Sequence, residues 1–102
     1  MILVRHEIGD VLRQLRLQKG RTLRQVASRA SVALGYLSEV ERGQKEASSE
    51  ILASVADALD VPISTIFREV GDRISVLEGL QQFPDVVPDE LVASVDAELS
   101  LR

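Results

Sequence analysis

Between Ala33 and Lys45 the chain places small and polar side chains at intervals that could contact another molecule: Ala33, Gly35, Ser38 and Glu39, then Arg42, Gln44 and Lys45. A serine hydroxyl donates or accepts at a base edge, and a glutamate carboxylate accepts from a cytosine amino group. Ala33 offers a methyl group to a thymine methyl. Gly35 costs about 1 kcal/mol in a helix interior relative to alanine. Its polar neighbours in helical projection favour close approach of the backbone to a DNA surface, with tight helix–helix packing as the alternative. Arg42, Gln44 and Lys45 follow the helix, where side chains usually meet the sugar–phosphate strand. Glu39 has two open roles, reading a base or orienting a nearby arginine. Tyr36 also has two, a hydroxyl on a phosphate or an aromatic ring packed against the loop.

Upstream, Thr22, Arg24 and Gln25 open another helix whose N-terminus favours an anion, and Arg21 and Arg29 are additional phosphate candidates. The residues needed for catalysis do not assemble. There is no cysteine and only one histidine, His6, so neither a thiolate nucleophile nor a transition-metal site is expected, and no cofactor is implied. Asp89 and Glu90 read as partners of a helix N-terminus rather than as an acid–base pair. No glycine-rich phosphate loop is present.

Net charge is -4 over 102 residues, but the two halves differ. Residues 1–49 hold nine Lys/Arg against five Asp/Glu, and residues 50–102 hold three against eleven. The basic half could face phosphates while the acidic half faces away. No apolar run approaches the roughly 20 residues of a membrane span, and the first residues lack the pattern of a signal peptide. A cytoplasmic, nucleoid-associated protein without a membrane partner is the expectation.

The elements that must position these side chains follow from the apolar spacing. Ile8, Val11, Leu12 and Leu15 recur at i, i+3, i+4 and i+7, which predicts a first helix from about Glu7 to Lys19 ending at Gly20. Thr22 and Gln25 form a capping box for a second helix ending near Ala30. Ser31 and Val32 make the turn. A third helix runs from about Ala33 to Arg42, burying Leu34, Leu37 and Val40, and stops at Gly43. Ser48 or Ser49 caps a fourth, with Ile51, Leu52, Val55, Ala56 and Leu59 inward. After Pro62 a short fifth helix carries Ile63, Ile66, Phe67 and Val70 up to Gly71. No run reads as a strand.

This order and its turns resemble the Cro/C1-type helix–turn–helix domains, the xenobiotic-response-element family of regulators. The resemblance rests on TLRQVA at the second helix, on Tyr36-Leu37-Ser38-Glu39-Val40-Glu41-Arg42-Gly43, and on the Ser-Ser-Glu-Ile-Leu start of the fourth helix. It covers about 64 of the 102 residues. Within that family, GYLSEVERGQKEASSEIL is similar to the Clp gene regulators of actinobacteria. The resemblance implies an all-α, five-helix, lambda-repressor-like DNA-binding domain over residues 1–70 whose third helix enters the major groove. It also implies a structural ion pair between Arg16 and Glu41, and activation of Clp protease and chaperone genes under stress, which would require contact with RNA polymerase. Three residues depart from the family pattern: Ser31 for a turn glycine, Ala33 for a capping serine and Ala47 for a proline.

Residues 71–102 are acidic yet keep an apolar stripe, which a disordered tail would lack. The expectation is a helical extension in which Ile74, Leu77, Leu80, Leu91, Val92 and Val95 pair two copies of the chain. The alternative is that they only cap the five-helix core. A homodimer would set two recognition helices about 34 Å apart on a palindromic double-stranded DNA site. A competing function is that of an antitoxin or adaptor that clasps a basic protein with the acidic segment.

Overall fold

A computed structural model describes residues 2–81 and shows five helices: α1 (Val4–Gln18), α2 (Leu23–Ala30), α3 (Leu34–Glu41), α4 (Ser49–Ala58) and α5 (Ile63–Gln81). The fold class is the expected all-α arrangement among the described residues. α1 packs on α3 and α5, α2 on α3 and α4, and α4 on α5. The shared core is aliphatic: Val11, Leu12, Leu37, Leu59 and Ile66 are at most 1% exposed, and Val26, Val40 and Val55 pack among them. Leu34, expected inside, is only partly buried.

Local chemistry explains most boundaries. Thr22 and Gln25 make the reciprocal capping box of α2: the Gln25 backbone N–H donates to Thr22 Oγ1 at 3.1 Å, and the Thr22 backbone N–H donates to Gln25 Oε1 at 2.9 Å. The turn that follows is tight because Ser31 adopts the left-handed conformation, φ 58°, and the Val32 N–H returns to the Ala27 carbonyl at 3.0 Å. Ser48 caps α4 by accepting from the Ile51 N–H.

Two expectations for the helix ends are corrected. α1 begins at Val4 rather than Glu7, with the Leu3 carbonyl accepting from the His6 N–H at 3.0 Å. The extra turn puts Arg5 in reach of the Gly43 carbonyl, which Arg5 Nε meets at 3.0 Å. α5 does not stop at Gly71 but continues to Gln81. The roughly 1 kcal/mol cost of a helical glycine is offset by contacts beyond it. Ile74 still packs against the core, and Arg73 reaches Asp10 at 3.6 Å and Glu7 at 3.8 Å on α1. Phe67, expected to face inward, is 50% exposed, while Ile66 and Val70 are the buried members of its stripe. No described helix is long and apolar enough to cross a membrane.

Candidate nucleic-acid interface

α3 has only eight residues, too few to be stable alone in water, so its position depends on what grips it. Leu37 and Val40 seat it in the core. Its C-terminal end is then fastened to α1. Arg16 meets Glu41 in a two-pronged pair, Nε to Oε2 at 2.8 Å and Nη2 to Oε1 at 3.0 Å, with side chains 13% and 7% exposed. Arg16 Nη1 also donates to the Arg21 carbonyl at 3.0 Å. The hydrogen bond to Glu41 raises the Arg16 pKa above its ordinary value, outweighing the opposing effect of burial. Glu41 therefore faces the scaffold and holds the helix.

Gly9 completes the grip. A Cβ at this position would overlap the Val40 carbonyl oxygen and lie 2.5 Å from that of Glu41, so only a glycine lets the two helix backbones meet. Gly43, just past α3, has φ 74° and packs under the His6 ring. The apolar and polar spacing singles out neither Arg5 nor Gly9. The one signal for Gly9 is a glycine inside an otherwise well-patterned helix.

The opposite side of α3 is open. A Cβ on Gly35 would meet nothing within 4 Å among the described residues, so helix packing does not account for this glycine. Ala33 is exposed, while Ser38 and Glu39 are partly so. Glu39 Oε2 lies 3.8 Å from Lys45 Nζ, so its charged neighbour here is a lysine of the following loop rather than an arginine. Ala33 occupies the N-cap without a side-chain hydrogen bond, leaving that end of α3 uncapped by its own residue. Arg42 and Gln44 are exposed at the other end. Arg42 Nε approaches the Ser38 carbonyl at 3.4 Å, and the Gln44 N–H closes the helix on the Glu39 carbonyl at 2.8 Å.

Two of the phosphate candidates turn elsewhere. The Tyr36 hydroxyl donates to the Glu46 carbonyl at 2.8 Å. In this arrangement its proton is used within the loop, and Tyr36 anchors the residues that follow α3. Arg21 likewise turns inward, bonding the Ala58 carbonyl and the Asp60 carboxylate. Arg24 and Gln25 stay exposed on α2 and line, with Arg29, a groove of about 570 Å³. The capping box engages only acceptor atoms of the Thr22 and Gln25 side chains. The threonine O–H and the glutamine NH₂ remain able to donate outward. Of the apolar residues assigned to pairing, Ile74 packs partly on the core, Leu77 is half-buried and Leu80 is 68% exposed. Leu91, Val92 and Val95 lie outside the described residues.

Known proteins share this arrangement. A helix–turn–helix family model matches residues 12–66. The chain is similar to the transcriptional regulator ClgR of Mycobacterium tuberculosis, 51% identical over 78 residues that span 76% of this chain and 70% of that protein. It is also similar to the clp gene regulator ClgR from Corynebacterium glutamicum, whose crystal structure matches with a TM-score of 0.73 at 41% identity, covering 79% of this chain and 86% of the other. At 22% identity the restriction–modification controller protein C.Esp1396I, solved as a tetramer in complex with its natural 35 base-pair operator, shares the fold with a TM-score of 0.67 over 72% of this chain and 97% of its own.

Proposed function

The chain belongs to the Cro/C1-type helix–turn–helix family of transcriptional regulators, and from that premise we propose that it binds a palindromic operator as a homodimer and activates Clp protease and chaperone genes. The observation that carries this reading is the two-sidedness of α3. One side is locked to α1 through Glu41 and Gly9, and the other leaves Gly35, Ser38 and Glu39 facing outward. A helix so held is placed to enter a major groove. In this reading Ser38 and Glu39 meet base edges, Gly35 lets the backbone come close, and Ala33 supplies a methyl contact. Thr22, Arg24, Gln25, Arg42, Gln44 and Lys45 bind phosphates and fix the register. Ile74, Leu77 and Leu80 on α5, together with Leu91, Val92 and Val95, pair two copies. Activation adds RNA polymerase as a partner, and the protein works in the cytoplasm on the nucleoid. The likeness to relatives described as clp gene regulators supports the choice of target genes.

Selecting bound sequences from a random DNA pool tests the reading. Enrichment of an inverted repeat with half-site centres about 34 Å apart is expected; a pool that stays random would overturn it. Repeating the selection with Glu39→Gln should change the preferred base at one position per half-site and leave the spacing intact. Transcription from Clp promoters carrying that repeat should rise when the protein is added to RNA polymerase, and a fall would reverse the assigned sign of regulation.

A further inference from the structure

Asp60 sits where local structure asks for a different residue. It follows α4 with φ 56°, and the Val61 N–H closes the turn on the Ala56 carbonyl at 3.0 Å. Glycine or asparagine suits such a left-handed helix end, and a carboxylate beside the negative end of a helix is unfavourable. The charge must therefore serve something beyond the turn. Its neighbours are two arginines, one just before α2 and one in its last turn, brought to it because α2 packs on α4. Arg21 bonds both Asp60 and the Ala58 carbonyl and is 23% exposed. Among the described residues Arg29 pairs only with Asp60, at 3.5 Å, and is 48% exposed. Arg21 is thus pinned twice, whereas Arg29 is held by a single long contact that a competing anion can displace.

Arg29 lies on α2 one turn beyond Gln25, and both line the groove that also takes in Arg24. That groove belongs to the α2 face assigned above to phosphate. We infer that Asp60 is an intramolecular competitor of DNA phosphate for Arg29, limiting sequence-independent affinity; the inference rests on the DNA-binding reading. The hydrogen bond from Arg21 keeps the Asp60 carboxyl below the usual carboxylate range, so the competitor is fully charged at neutral pH. A phosphate contact by Arg29 releases counterions only after that pairing is lost. Because the competition involves no base, it lowers operator and random-sequence binding by the same factor.

Asp60→Asn tests this directly, since asparagine tolerates the left-handed backbone and removes only the charge; Asp60→Gly serves as a second variant with the same backbone freedom. Affinity for operator and for random duplex is measured in the full-length chain from 50 to 200 mM salt. Freeing one phosphate contact should steepen the slope of log K against log salt by about 0.9 and raise affinity about fivefold near 0.15 M. Adding Arg29→Gln to Asp60→Asn should return the slope to that of the unaltered protein. An unchanged or shallower slope in both Asp60 variants, or a steepening that survives the Arg29 change, overturns the inference. If the unaltered protein binds no duplex at all, the DNA-binding reading fails first and takes this inference with it.

Discussion

At its C-terminal end α3 is tied to α1 by an ion pair, by the Gly9 backbone contact and, just beyond, by the Arg5 bond to Gly43. At its N-terminal end it begins at Ala33 with no side-chain cap, after a turn that forces Ser31 into a left-handed conformation. One end is fixed to the scaffold by an ion pair and backbone contacts; the other is held by apolar packing, partly through Leu34 and Tyr36 and fully only from Leu37 onward. In the proposed complex the free end carries Ala33 and Gly35 to the base edges, so the reader is held from behind and adaptable at its tip. The difference separates two quantities that a mutation can change, the placement of the helix and the order of its first turn.

The largest expected effect comes from Gly9→Ala. The added methyl meets two backbone carbonyl oxygens, Val40 and Glu41, neither of which has a rotamer to escape into. Relief requires α1 and α3 to separate, which opens the core beneath them. The cost should reach or exceed the upper end of the about 1–3 kcal/mol typical of overpacking, with operator binding lost in parallel. Denaturant unfolding measures it, and a loss below about 1 kcal/mol would show that α3 is not pressed against α1.

Glu41→Gln should rank next. It leaves Arg16 charged and largely buried with one neutral partner, while the Arg21 carbonyl still accepts one of its N–H groups. Removing one member of a fully buried pair costs about 3–5 kcal/mol; the residual exposure and the retained bond place this change at about 2 kcal/mol. Operator affinity measured well below the melting temperature should also fall, because the placement of α3 loosens. A stability loss with unchanged affinity would make the pair a general brace rather than a positioning device.

The two ends of α3 are unequally legible in the sequence. The missing cap at Ala33 can be read directly, because a capping side chain acts within three or four residues, as the box at Thr22 and Gln25 also does. Arg16 and Glu41 are 25 residues apart, and only the family resemblance suggests that they meet. Gly9 is silent because its meaning lies in what faces it. Gly71 misleads for the same reason: a local rule ends the helix there, whereas Ile74 and Arg73 hold the next turns against partners elsewhere. Asp60 looks like a chain break beside Pro62, and its charge gains meaning only once α2 brings Arg21 and Arg29 to it. Tyr36 can be reduced to two roles from its position, but its choice of Glu46 depends on the path of the loop.

Ala33→Ser has the smallest expected effect and the opposite sign. The backbone at Ala33, φ -65° and ψ 137°, is already that of an N-cap, so a serine there can accept from an N–H of the first turn without strain. A gain of about 1 kcal/mol is expected, corresponding to a rise of about 5 °C in melting temperature for a domain of this size. Amide exchange at Gly35 and Tyr36, the amides a side chain at the N-cap can engage, should slow, whereas exchange at Val40 and Glu41, at the end already fixed, should slow only as far as global stability rises. Equal additional protection at both ends would mean that the first turn of α3 was never looser than the last, and the contrast between its two ends would disappear. No gain in stability would mean that the amides at the tip already have a partner, and the adaptability assigned to Ala33 and Gly35 would have to come from the DNA rather than from the protein.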